Sequence, residues 1–171
     1  MEFTLVKPTK ELEQQYEDYI SEWEQTKEKI VPSATKRHGK SYNEMMRDWE
    51  DQETEKVYAL GFVPASLYFL IDSQKKIYGA VHIRHELNEK LINTGGHIGY
   101  GIRPSERKKG FATKMLSFAL PIAKELGITR VLITCDKDNI ASAKTILHNG
   151  GLMENEVAEN GEIVQRYWIN L

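Results

Sequence analysis

The stretch Gly96-His97-Ile98-Gly99-Tyr100-Gly101-Ile102-Arg103-Pro104-Ser105-Glu106-Arg107-Lys108-Lys109-Gly110-Phe111-Ala112 joins a strand-like segment to a basic, glycine-bearing turn, and an amphipathic helix follows at once. Such a junction suits a phosphate group. The first N–H groups of a helix have no intrahelical partner, and the helix dipole adds partial positive charge there. Gly110 lets the backbone come close to an anion, small Ala112 keeps the first turn uncrowded, and Arg107, Lys108 and Lys109 add long-range attraction. Other phosphate loops fit less well. No Gly-x-x-x-x-Gly-Lys-[Ser/Thr] run is present, and Gly99-Tyr100-Gly101 begins like a dinucleotide fingerprint but meets Pro104 where the third glycine belongs. What remains is Arg107-x-x-Gly110-x-Ala112.

Working outward, 171 residues make one domain with a sizeable core, so a single domain over 1–171 is expected. A net charge of -2 gives no reason to expect nucleic acid or an anionic membrane as partner. No apolar run approaches the ~20 residues that span a bilayer. The opening Met1-Glu2-Phe3 lacks the regions of a signal peptide. The single cysteine, Cys135, lies in the apolar run Val131-Leu132-Ile133-Thr134-Cys135 and reads as a small buried hydrophobe in a cytoplasmic protein.

Periodicity orders the elements. Phe3 to Lys7 alternates as a short strand ended by Pro8. Lys10 to Ile30 is helix-prone, with Leu12, Tyr16, Tyr19, Ile20 and Trp23 on one face. Ser41 and Glu44 form a capping box for a helix carrying Met45, Met46 and Trp49, fading near Lys56. Ser66 to Ile71 and Lys76 to Arg84 pair as a hairpin about Asp72-Ser73-Gln74-Lys75, and His97 to Ile102 is the next strand. A helix from about Lys109 to Leu126 stops at Gly127 and is expected to kink at Pro121. Arg130 to Cys135 is a buried strand, and Asn139 to Asn149 a short helix ended by Gly150-Gly151. Two strands, Leu152 to Ala158 and Glu162 to Ile169, close the chain about Glu159-Asn160-Gly161. The order β-α-α-β-β-β-α-β-α-β-β surrounds one β-α-β unit with antiparallel hairpins, an α+β arrangement.

The motif Arg107-x-x-Gly110-x-Ala112 resembles the [Arg/Gln]-x-x-Gly-x-[Gly/Ala] pyrophosphate loop of the GNAT superfamily of N-acetyltransferases, and it falls between the fourth strand and third helix, as in that family. Asp138 to Gly151 resembles the family's Asn-x-x-[Ala/Ser] helix with its glycine stop. Gly96 to Ala112 is similar to a subgroup known as predicted acetyltransferases. The resemblance runs from Phe3 onward and is strongest from Ile77 to Gly151. It implies a mixed, mostly antiparallel sheet with helices on both faces, and acetyl-CoA as cofactor with coenzyme A as co-product. By the same resemblance the cofactor-binding residues are Ile102, Arg107, Lys108, Lys109, Gly110, Phe111, Ala112, Asn139 and Ser142, with Asn139 beside the pantetheine arm and the N–H of Ile102 or its neighbour on the thioester oxygen. Two positions depart from the family pattern. The Tyr expected seven residues after the Asn is Ile146, and a Phe often found twelve residues after it is Gly151.

Acetyl transfer to an amine needs a neutral nucleophile, a polarised thioester carbonyl and an exit for thiolate charge, and direct attack requires no protein nucleophile. His97 is the first candidate for the base, since an imidazole with a pKa of about 6.5 suits neutral pH. Its alternative role is a structural strand residue. Tyr100 is a candidate acid, although three residues along a regular strand place it on the opposite face. His82, His85 and His97 lack the Cys or carboxylate pattern of a metal site, and no metal is expected. Arg84 either lines the acceptor site or is solvated. Trp23, Tyr42, Trp49 and Tyr58 fall in the segment that shapes the acceptor pocket in the family, yet core packing explains them equally. The expected partner is a small-molecule or protein amine, with neither nucleic acid nor membrane, and a homodimer is compatible with the chain. The competing readings are a non-catalytic acyl-CoA-binding module and use of another acyl donor such as succinyl-CoA.

Overall fold

The computed structural model describes residues 1–171. Seven strands and four main helices follow in the expected order: β1 (Phe3–Val6), α1 (Glu13–Thr26), α2 (Tyr42–Gln52), β2 (Ala65–Asp72), β3 (Ile77–Arg84), β4 (Ile98–Ile102), α3 (Phe111–Glu125), β5 (Arg130–Asp136), α4 (Ile140–His148), β6 (Leu152–Glu159) and β7 (Glu162–Asn170). Hydrogen bonding divides the strands into an antiparallel sheet β1-β2-β3-β4 and an antiparallel sheet β5-β7-β6. The break falls between β4 and β5.

Alternation along β2, and along β3 from Gly79 onward, builds a layer on each side of the first sheet. A bulge opposite Leu70 and Ile71 brings Ile77 and Tyr78 onto the faces of Ala80 and Val81 respectively. Leu67, Phe69, Ile71, Ile77 and Ala80 face α1 and α2 and pack with Tyr16, Tyr19, Ile20, Trp23, Met45 and Trp49. Leu70, Tyr78, Val81 and Ile83 face the other way and pack with Ile98, Ile102, Met115, Leu116, Ala119 and Ile146. Burial of these side chains against two helical layers, at roughly 25 cal/mol per Å² of apolar surface, drives the assembly.

Helix ends differ from the sequence expectation where one residue turns the backbone. α1 stops at Thr26 rather than Ile30 because Lys27 adopts a left-handed conformation. Ser41 Oγ accepts the Glu44 N–H at 3.2 Å and starts α2, which ends at Gln52. α3 continues through Pro121, where the missing N–H leaves one backbone bond unmade inside an otherwise intact helix. The β6–β7 turn places Asn160 and Gly161 both at positive φ, as a two-residue primed turn requires.

Candidate active site

At its start β4 is tied to β5. The His97 N–H donates to the Leu132 carbonyl at 2.7 Å, the Leu132 N–H donates to His97 Nδ1 at 2.9 Å, and Thr134 Oγ1 donates to the Thr94 carbonyl at 2.7 Å. Beyond these ties no ladder bond joins the two strands, and a notch opens. The Arg103 N–H points back to the Tyr78 carbonyl on β3, so alternation turns the N–H groups of Ile102 and Tyr100 outward into the notch. Neither donates to any backbone or side-chain acceptor. Two aligned donors therefore line one wall.

Past Ile102 the chain makes a short turn at Pro104–Glu106 and enters α3 through Gly110, at φ +82. A Cβ at Gly110 would meet nothing within 4 Å, so open space adjoins the backbone there. The N–H groups from Lys108 to Thr113 make no hydrogen bond within the protein, and they surround the α3 N-terminus. This cradle fits a pyrophosphate. The charges around it are less free than three adjacent cations imply. Arg107 forks onto Glu28 at 2.7 and 3.2 Å and lies over the Trp23 ring. Lys109 pairs with Glu106 at 2.9 Å, and Lys76 pairs with the same carboxylate. Only Lys108 of the three is without an ion pair.

On the α3 side of the notch stands α4. Asn139 caps it, its Oδ1 accepting the Ser142 N–H at 3.1 Å, which leaves Nδ2 as a donor without a partner. Tyr100 reaches across from β4 so that its Oη lies 2.8 Å from Ser142 Oγ. Burial raises its pKa to about 12, and the hydroxyl stays protonated at neutral pH. β4 is regular here, and Tyr100 does lie on the opposite face from His97, the face that α4 covers. Ile146 is fully buried, and a Cβ at Gly151 would overlap its Cγ2. The two departures from the family pattern are thus one packing arrangement. Cys135 is buried, and burial raises its pKa, which makes it a poor nucleophile.

The other face of β4 is floored by glycine. A Cβ at Gly101 would overlap the Val31 carbonyl, so the segment between α1 and α2 lies directly on the strand. At Gly99 the nearest atom is Pro32 Cβ at 4.0 Å, and the floor is open. Beside it on β3, His82 Nε2 lies 3.3 Å from Gln52 Oε1, and burial lowers its pKa to about 3. Trp23, Tyr42 and Trp49 are buried in the α1–α2 core, while Tyr58 is exposed and bonded to Glu86. The geometry corrects the expectation that His97 supplies the base. Its Nδ1 is occupied by the Leu132 N–H, which fixes the proton on Nε2, and burial with nearby Arg84 lowers its pKa to about 4. To take a second proton, His97 would have to abandon the tie between β4 and β5. Sequence reasoning missed that tie, the Tyr100–Ser142 pair and the setting of Arg84, because each joins residues distant in the chain.

A strand edge with aligned free donors thus leads to a cradle of free N–H groups at a helix start. The acetyltransferase (GNAT) domain model matches residues 3–151, and the chain belongs to the GNAT acetyltransferase family, whose acetyl donor is acetyl-CoA. Solved structures share the fold along nearly the whole length. The microcin C7 self-immunity acetyltransferase MccE, in complex with acetyl-CoA and AMP, is similar at 23% identity and a TM-score of 0.69, over 99% of this chain and 93% of that one. The ribosomal-protein-S5-alanine acetyltransferase of Vibrio fischeri is similar at 14% identity and a TM-score of 0.71, over 99% and 93%. A chimera of the Vibrio cholerae spermidine N-acetyltransferase SpeG and hSSAT reaches 17% identity and a TM-score of 0.65, over 99% and 96%. Comparison with curated proteins gives no match. No helix is long and apolar enough to cross a membrane.

Proposed function

We propose that this protein moves the acetyl group of acetyl-CoA onto a primary amine of a small molecule or protein, by direct attack within a ternary complex, in a reducing compartment such as the cytoplasm. The observation that carries this reading is the run of unpaired N–H groups from Tyr100 and Ile102 to the Lys108–Thr113 cradle. Acetyl-CoA, when bound, supplies the activated thioester. The cradle holds its pyrophosphate, with Lys108 adding charge and with Lys109 and Arg107 shaping the loop through their carboxylate partners. Asn139 Nδ2 and Ser142 face the pantetheine arm. The Ile102 N–H would hold the thioester oxygen as charge develops, the largest catalytic contribution such a site offers. The Tyr100 N–H, about 7 Å along the strand, would serve the pantetheine arm.

Tyr100 takes the role that Ile146 cannot. Its protonated hydroxyl, 2.8 Å from Ser142 Oγ, would give the coenzyme A thiolate its proton when acetyl-CoA is bound, and solvent would return that proton. His97 holds β4 against β5 so that the notch opens at the right point along the strand. The ammonium proton of the acceptor leaves through water on the glycine-floored face.

Turnover of acetyl-CoA with an amine panel separates this reading from a non-catalytic acyl-CoA-binding module. Tyr100→Phe is expected to keep acetyl-CoA affinity and lower kcat by about 10²-fold or more, as for a lost general acid. Full kcat in a folded Tyr100→Phe protein removes Tyr100 from the chemistry, and tight acetyl-CoA binding without transfer to any amine favours the binding module.

A further inference from the structure

Arg84 ends β3 on the acceptor side of the first sheet. Ala80 and His82 precede it on the same face, packing on α1 and bonding to Gln52 of α2 respectively. Its backbone N–H donates to the His97 carbonyl, so it stands beside the start of β4. Nη1 donates to the carbonyls of Gly95 at 3.1 Å and Gly96 at 3.0 Å. Both Nη1 protons are thereby used, and the side-on edge formed by Nε and Nη2 has no partner. The fully buried side-chain atoms without partners are Gln15 Oε1, Tyr19 Oη and Trp23 Nε1, so the free edge of the largely buried Arg84 still touches solvent.

A guanidinium withdrawn from bulk solvent normally has a carboxylate beside it. Every other arginine here that is not fully exposed obeys this: Arg37 pairs with Glu17 and Glu24, Arg103 with Asp18 and Glu22, Arg107 with Glu28, and Arg166 with Glu154. Arg84 alone pairs with none. The histidines near it add no further positive charge, because burial keeps His82 and His97 neutral. What it lacks is an anion, and the free edge presents two parallel N–H groups, the geometry that a carboxylate accepts side-on.

Position sets the rest of the ligand. Arg84 pairs with His97, and the outward Tyr100 N–H lies three residues further along β4, about 10 Å at the rise of an extended strand. Between them lies the open floor at Gly99.

Resting on the acetyltransferase reading, we propose that Arg84 is the specificity residue of the acceptor site and that the acceptor is an amine bearing a carboxylate several bonds from its nitrogen. A polyamine, with cationic groups along its length, is disfavoured at the same position.

The test uses 6-aminohexanoate and triglycine, each against its own carboxamide, with spermidine as the cationic comparison. Acetyl-CoA affinity is measured first by calorimetry. Absent binding there overturns the acetyltransferase reading and not merely the assignment of Arg84. With acetyl-CoA bound, the carboxylate member of each pair is expected to show a kcat/KM about 10- to 100-fold above its carboxamide, the range of a hydrogen bond to a charged group. Arg84→Gln keeps an amide donor for the Gly95 and Gly96 carbonyls, and is expected to abolish the preference through KM while leaving acetyl-CoA affinity intact. Arg84→Lys is expected to keep part of the preference. Equal use of the pair members by the wild-type protein, a preference that survives in Arg84→Gln, or spermidine as the better acceptor each overturns the proposal. Should no probe be acetylated, calorimetric binding of the same pairs to the coenzyme A-loaded protein decides. Tighter binding of the carboxylate member supports the proposal, and equal or absent binding overturns it.

Discussion

Two glycines, one residue apart on β4, do different work. Gly101 has no side chain because the Val31 carbonyl occupies the place of its Cβ, whereas the space over Gly99 is free up to Pro32. Gly101→Ala must push the α1–α2 segment off the strand, and is expected to cost about 1–3 kcal/mol, as overpacking does. Gly99→Ala is expected to change stability by less than about 1 kcal/mol, since it meets only ordinary contact. Its methyl stands on the acceptor floor, however, and kcat/KM for the amine should fall while acetyl-CoA affinity holds. Denaturant melts and steady-state kinetics of the two variants check the contrast. Equal stability of both variants would contradict the assignment of Val31 to the Gly101 site. A similar economy links Ile146 and Gly151, where the larger side chain fills the volume that the glycine leaves. One substitution there without the other would leave an overlap or a void.

The junction of β4 with β5 depends on one imidazole. His97 Nδ1 accepts the buried Leu132 N–H, and the pKa of His97 falls from 6.5 to about 4. Between those values the unfolded chain binds a proton that the folded chain refuses, so stability is present above pH 6.5 and is lost as pH falls toward 4. His82, lowered to about 3, adds a slope of the same sign. In His97→Asn the side-chain oxygen sits near the place of Nδ1, and the variant should fold with a shallower loss of melting temperature on acidification. His97→Leu leaves the Leu132 N–H without an acceptor, at a cost of roughly 1–3 kcal/mol. Thermal melts from pH 7 to pH 4 check both, and an unchanged slope in His97→Asn would reject the buried His97 as an origin of the pH dependence. The same strand register explains why Tyr100 and His97 cannot share a task. One faces α4 and the notch, the other faces the acceptor side.

Across the molecule, two antiparallel sheets touch at one end and part at the other, so a strand edge that would invite pairing is kept open inside the protein. Ion pairs brace that opening from the side: Arg103 joins Asp18 and Glu22 of α1, and Arg107 joins Glu28 just past its end, so the turn before α3 is fastened to α1 and the segment that follows it. The unpaired N–H groups of Tyr100 and Ile102 should exchange with solvent faster than those of Gly99 and Gly101, which face β3. Acetyl-CoA is expected to slow exchange at Tyr100, Ile102 and the Lys108–Thr113 loop, and to raise the melting temperature in a concentration-dependent way. Gly110→Val places a side chain in the cradle at φ +82, a conformation costing about 1–2 kcal/mol for an L-residue, and should remove this protection at the same ligand concentration. Exchange at Tyr100 and Ile102 that ignores acetyl-CoA would place the thioester elsewhere.

The order of strands and helices, the glycine-bearing turn into α3 and the α4 cap were legible in the chain because each is written in local terms. Apolar period, turn chemistry, and the spacing of Arg107, Gly110, Ala112, Asn139 and Ser142 act over a few residues, and neighbours along the chain suffice to read them. Ser41 and Glu44 are legible for the same reason. The role of His97, the partner of Tyr100, the neutralisation of Arg107 by Glu28 and the unpaired edge of Arg84 were decided only by the tertiary structure. They depend on contacts spanning between 11 and 79 positions, Arg84 to Gly95 the shortest and Arg107 to Glu28 the longest. A titratable side chain takes its proton affinity and its task from the dielectric and the donors around it. That environment exists only after the sheet has formed and the helices have closed over it.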